Sequence, residues 1–136
     1  MDKLNELLKF ISEKNPFKFL GDLHSQNTGK IFILKYLHDN KKDAKAGELA
    51  TALGVSTARI AILLKKLENS KLIKRYSSAE DARITLVSLT TEGEKYIVKK
   101  MEGIISKLKK VVNSIGVNKL EDFIKVALTI SIIIGN

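Results

Sequence analysis

Residues 46–68 restrict what this chain can fold into more than any other stretch. In Ala46-Gly47-Glu48-Leu49-Ala50-Thr51-Ala52-Leu53, the residues Leu49, Ala50 and Leu53 recur at helical spacing. Ala50 is small enough to let a crossing helix come close. Gly54 follows the last apolar position, where a helix end takes up a left-handed backbone that glycine adopts at little cost. Ser56 then offers its hydroxyl to the unpaired amides of a second helix. In that helix Ile60, Leu63, Leu64 and Leu67 repeat at i, i+3, i+4 and i+7 and form a core face. The sequence therefore predicts two short helices joined by a tight turn.

Ala50, Gly54, Val55, Ile60 and Leu63 together resemble the general helix-turn-helix pattern. In that motif the second helix enters the major groove and its N-terminal residues meet base edges. Ser56, Thr57, Ala58, Arg59, Ala61, Ile62 and Lys65 are left for that role once the core face is assigned. Arg59 suits a bidentate contact to guanine, and Ala61 or Ile62 suits thymine methyls. Lys65 and Lys66 lie further along and suit phosphate. The helix is unusually apolar for a reading head, and Ile62 is read either as a base contact or as core.

Leu72-Ile73-Lys74-Arg75-Tyr76 and Ile84-Thr85-Leu86-Val87-Ser88-Leu89 are rich in β-branched and aromatic residues. The polar segment between them, Ser77-Ser78-Ala79-Glu80-Asp81-Ala82-Arg83, is too long for a two-residue hairpin and predicts a projecting wing. Asp81-Ala82-Arg83, followed by Leu86, Leu89-Thr90 and Gly93, resembles the signature of the MarR family of transcriptional regulators. The resemblance is motif-grade over residues 46–93, and the flanking helices match in kind and length. It implies that Arg83 enters the minor groove, where negative potential is concentrated. It implies that Asp81 holds the wing by pairing with an arginine, and Arg75 joins the candidate DNA contacts. One departure is that Ser70-Lys71 stands where glycine is usual, so the second helix must close without it.

The formal net charge is +9, which favours a polyanionic partner or an anionic membrane surface. Residues 41–83 hold ten Lys and Arg against five Asp and Glu, so the excess is densest around the motif. There is no cysteine, which excludes disulfides and thiolate metal sites and suits a cytoplasmic protein. No signal peptide is expected at Met1-Asp2-Lys3, and the apolar run Val126–Ile134 is shorter than the ~20 residues of a membrane span. His24 and His38 are not at ligand spacing, and no nucleophile motif, paired carboxylates or phosphate-binding glycine loop is present. The expectation is a non-enzyme without cofactor or metal.

Leu4, Leu7, Leu8 and Ile11 form a helical stripe, with a break expected at Asn15-Pro16. Residues 21–29 read as a connection, Ile31, Ile33, Leu34 and Leu37 as a short helix ending near Asp39-Asn40, and Lys41-Lys42-Asp43 as a loop. Thr90 or Thr91 can cap a helix, and Thr91 with Glu94 fits a capping box. Ile97, Met101, Ile104, Ile105, Leu108, Val111, Val112 and Ile115 then keep helical spacing to Gly116, and Leu120–Leu128 opens a last helix that is apolar nearly all round.

The fold class expected is mainly α with a small β-hairpin wing: a winged helix-turn-helix flanked by N- and C-terminal dimerisation helices. The divisions are residues 1–28, 29–90 and 91–136. The partners expected are double-stranded DNA, a second copy of the chain and, by the resemblance, a small aromatic or phenolic effector, with no membrane. Tyr36, Phe17, Phe19 and Tyr96 are candidates to line an effector pocket or are plain core. The alternatives are a non-specific basic nucleoid-type DNA binder and a winged-helix protein-interaction module.

Overall fold

The computed structural model describes residues 2–14 and 27–135. They fall into two compact units, residues 1–94 and 95–136. The elements are α1 (Asp2–Lys14), α2 (Asn27–Asn40), β1 (Ala44–Lys45), α3 (Ala46–Leu53), α4 (Thr57–Asn69), β2 (Ile73–Ser77), β3 (Thr85–Leu89), α5 (Thr91–Ile115) and α6 (Val117–Ile134). The expected fold class is what is found: mostly helical, with a small antiparallel sheet as the wing.

The turn between α3 and α4 closes as its residues demand. Gly54 takes φ 74°, the left-handed region. Its N–H donates to the Thr51 carbonyl (3.2 Å), and the Val55 N–H donates to the Ala50 carbonyl (3.0 Å). Ser56 caps α4, its Oγ accepting from the Arg59 N–H at 3.1 Å. The two helices are bent by 110° across this break, within the range of a helix-turn-helix. Ile60, Leu63, Leu64 and Leu67 are all buried. They share the first unit's core with Ile33, Leu34 and Leu37 of α2, Leu49 and Ala50 of α3, Ile73 of β2 and Val87 of β3.

The far end of α4 uses the same closure without glycine. Lys71 takes φ 63°, its N–H donates to the Glu68 carbonyl (2.9 Å), and the Leu72 N–H donates to the Leu67 carbonyl (3.0 Å). A lysine is thus held in the left-handed region, at a cost of about 1–2 kcal/mol.

Several expectations are corrected. The sheet has three strands in the order β1-β3-β2, not two. Ala44 and Lys45 pair with Val87 and Leu86, so the segment before the helix-turn-helix is partly strand. Residues 27–29, expected in a connection, open α2. A β-carbon at Gly29 would lie 3.1 Å from Leu63 Cδ1, so this glycine lets α2 approach α4. The Thr91–Glu94 capping box does not form: Thr90 caps α5, its Oγ1 accepting from the Gly93 N–H (2.9 Å) and donating to the Lys71 carbonyl (2.7 Å). Glu94 instead reaches Nδ1 of His38 at 2.6 Å. The break expected at Asn15-Pro16, Phe17, Phe19 and His24 lie outside the described residues.

α5 runs for 25 residues, the second unit holding it from Lys95 onward, and Gly116 (φ 86°) separates it from α6. Ile97 is buried, but Ile104, Ile105, Leu108, Val111 and Ile115 are exposed. So are Ile124, Val126, Leu128, Ile130, Ile133 and Ile134 of α6, which buries no residue. The described residues of one chain leave this apolar helix exposed. No single described helix is long and apolar enough to cross a membrane.

Candidate nucleic-acid interface

Ser56, Thr57, Ala58, Arg59, Ala61, Ile62, Lys65 and Lys66 are all exposed on α4. Ile62 is 49% exposed, which settles the choice left open by its sequence: it is outside the core. The buried stripe of α4 fixes this outward face, because at about 100° per residue Ala58, Ile62 and Lys65 point away from Ile60, Leu63 and Leu67. Arg59 and Lys66 flank them on one side, and Ala61 and Thr57 on the other.

The wing is β2, β3 and the loop between them. Its pairing runs from Ile73 opposite Leu89 to Ser77 opposite Thr85. The Ser78 N–H donates to the Ile84 carbonyl at 2.9 Å and closes the loop neck. At the tip Asp81 receives three bonds from Arg83: from its N–H (3.0 Å), its Nε (3.1 Å) and a terminal guanidinium nitrogen (3.2 Å). These bonds hold the Asp81 carboxyl below the usual carboxylate range. The Arg83 side chain remains 91% exposed, so one face of the guanidinium is fixed while the rest stays open to a ligand.

Arg75 has a different setting. Its backbone N–H donates to Glu68 Oε2 and its guanidinium to Glu68 Oε1, both at 3.0 Å. The side chains are only partly exposed, and the paired guanidinium lowers the Glu68 pKa. This double contact ties β2 to the last turn of α4. Glu68 therefore holds Arg75 in place, a role with no local signature in the sequence. The Tyr76 hydroxyl donates to Asp43, which links β2 to the segment before β1.

A hollow of about 330 Å³ is lined by Leu37, His38, Lys41, Lys42, Asp43, Leu89 and Glu94. Neither Tyr36 nor Tyr96, the two described residues considered for an effector pocket, is among its lining residues. Tyr36 stacks on Phe32 (6.2 Å between centroids) and its hydroxyl donates to Glu48 at 2.5 Å, which raises its pKa. Tyr96 lies under the Lys100 ammonium at 5.8 Å. No group of three or more His, Cys, Asp or Glu that could hold a metal ion occurs among the described residues.

Comparison with known proteins places this geometry. Residues 28–84 match the sequence model of the MarR family. The fold is similar to a crystal structure described as a MarR family transcription regulator, with TM-score 0.75 and 22% identity over 98% of this chain and 93% of that one. It is also similar to MepR of S. aureus, crystallised in a DNA-binding conformation (TM-score 0.58, 25% identity, 95% and 96% covered). A third similar structure is the heme sensor PefR of Streptococcus agalactiae in complex with heme (TM-score 0.65, 19% identity, 96% and 90% covered).

Proposed function

We propose that this chain is a sequence-specific DNA-binding regulator of transcription that works as a homodimer and represses by occluding a promoter, a reading supported by the match of residues 28–84 to the MarR family model. The observation that carries this reading is the pairing of an exposed α4 face with an exposed wing-tip arginine in one compact unit. α4 enters a major groove. Arg83 enters the adjacent minor groove, and Asp81 fixes the wing tip without touching DNA. Lys65 and Lys66 meet phosphates, while Arg75 supports the wing through Glu68.

Dimerisation is supported by the second unit. A row of exposed isoleucines and leucines on α5 and α6 is a larger apolar surface than a soluble monomer ordinarily leaves open. A second copy covers it by symmetry, and two-fold symmetry predicts a pseudo-palindromic operator with half-sites roughly 34–36 Å apart or a multiple of that. A small aromatic or phenolic effector would act by binding one spacing of the two reading heads better than the other. Operator affinity that stays constant across a phenolic panel argues against that control.

The test is selection of binding sites from a random DNA library at near-physiological salt, with the mass in solution measured on the same protein. The reading predicts an enriched palindrome and a dimer. Binding that is steeply salt-dependent and blind to sequence would indicate a nucleoid-type binder instead.

A further inference from the structure

We propose that the centre of the α4 reading face recognises thymine by its C5-methyl group, so that each operator half-site carries thymine where this helix docks. The inference rests on the DNA-binding reading above and adds the base it selects. Ala58 and Ile62 are exposed at the middle of the face with Ala61 beside them, and none has a polar side-chain atom. Ile62 leaves 49% of its surface open there, while the other four apolar positions after Ser56 that could hold a large side chain, Ile60, Leu63, Leu64 and Leu67, are buried. Arg59 and Lys66 flank this patch, and Lys65 shares its centre line about one turn beyond Ile62.

The chemistry of the groove narrows the choice. Adenine, guanine and cytosine present hydrogen-bonding groups at the major-groove edge, which an alanine or isoleucine cannot answer. Thymine presents an O4 acceptor too, but it also carries the C5-methyl group, the one large apolar feature of that edge. A guanine or adenine facing Ile62 would lose water from its N7 with nothing in exchange, so the patch also selects against purines at that position. From Ala58 to Lys65 the face spans about 10 Å at 1.5 Å per residue. That is about three base-pair steps, so the thymines fall in one short window per half-site.

The experiment uses the full chain and an operator fragment obtained by selection. Each thymine of the half-site is replaced in turn by deoxyuridine, which removes the methyl group and leaves base pairing unchanged. Replacement within the window is expected to weaken binding about four-fold per methyl, the loss of roughly 0.8 kcal/mol of apolar burial. Replacement outside it should have no effect. Ile62→Ala, whose side chain is on the surface, should bind thymine and deoxyuridine operators nearly equally. Ile62→Val should show an intermediate response. Methyl sensitivity that is absent, or that persists unchanged in Ile62→Ala, overturns the proposal while leaving DNA binding intact. If no DNA is bound at all, the regulator reading fails and this inference with it, and the exposed Ile62 patch becomes a surface for a protein partner.

Discussion

Leu63, Leu64 and Leu67 on α4 are at most 2% exposed, whereas Ile124, Leu128 and Ile132 on α6 are 49–69% exposed. The side chains are of one kind; the settings differ. Around α4, three helices and a sheet close over a single core, and the helix ends are finished by Gly54, Ser56, Lys71 and Thr90. Among the described residues, α6 keeps the same kind of apolar surface exposed. An apolar face stabilises a fold only when it leaves water. The winged helix therefore carries its own stabilisation, and the proposed second copy is what would take the exposed C-terminal apolar face out of water.

This contrast sets the expected effects of mutation, taken from largest to smallest. Leu64→Ala should lower the unfolding free energy by about 2–5 kcal/mol, equally at every protein concentration, as measured by chemical denaturation. Leu128→Ala should cost stability in a concentration-dependent way, through a weaker dimer. A loss at Leu128 independent of concentration would mean that α6 packs within one chain, and the contrast would break. Gly93→Ala comes next. A β-carbon there would lie 2.0 Å from the Leu72 carbonyl oxygen and 2.8 Å from Leu89 Cδ1, so backbone must move, at about 1–3 kcal/mol.

Lys71→Gly should act in the opposite direction. The backbone at Lys71 already has the geometry that glycine adopts freely, so the variant should gain up to about 1 kcal/mol with DNA affinity unchanged. The smallest effect concerns pH. Glu68 and Asp81 have folded pKa values lowered by Arg75 and Arg83 respectively. Their contribution is present above the ordinary carboxylate range and is lost as pH falls through the lowered folded values. Amide exchange in β2 should rise in acid accordingly, and Glu68→Gln should flatten that rise by removing the titrating group.

The local chemistry of the helix-turn-helix was legible in the sequence because its signals act over a few residues. The glycine at 54, the cap at Ser56 and the four-residue core stripe each specify their own turn. The wing was legible for the same reason, as two β-branched runs around a polar loop. What escaped were features made by distant partners. Ala44-Lys45 has no strand character of its own and becomes β1 only by pairing with β3. His38 meets Glu94 across 56 positions. Glu68 and Arg75 are close in sequence, but their contact depends on how β2 returns over α4. Between the adjacent threonines 90 and 91, a shift of one residue moved the cap and freed Glu94 for His38. Side chains expected to read bases were found by subtraction from the core, and their exposure now confines Ile62 to the surface.

The central claim is that α4 and the wing tip hold DNA together, one in each groove. Dimethyl sulfate protection on the selected operator tests it most directly, since it reports guanine N7 in the major groove and adenine N3 in the minor groove in one experiment. The account predicts major-groove protection within each half-site and minor-groove protection beside it, with Arg83→Ala losing only the minor-groove signal. Protection in one groove alone, or a pattern that Arg83→Ala leaves unchanged, would contradict it.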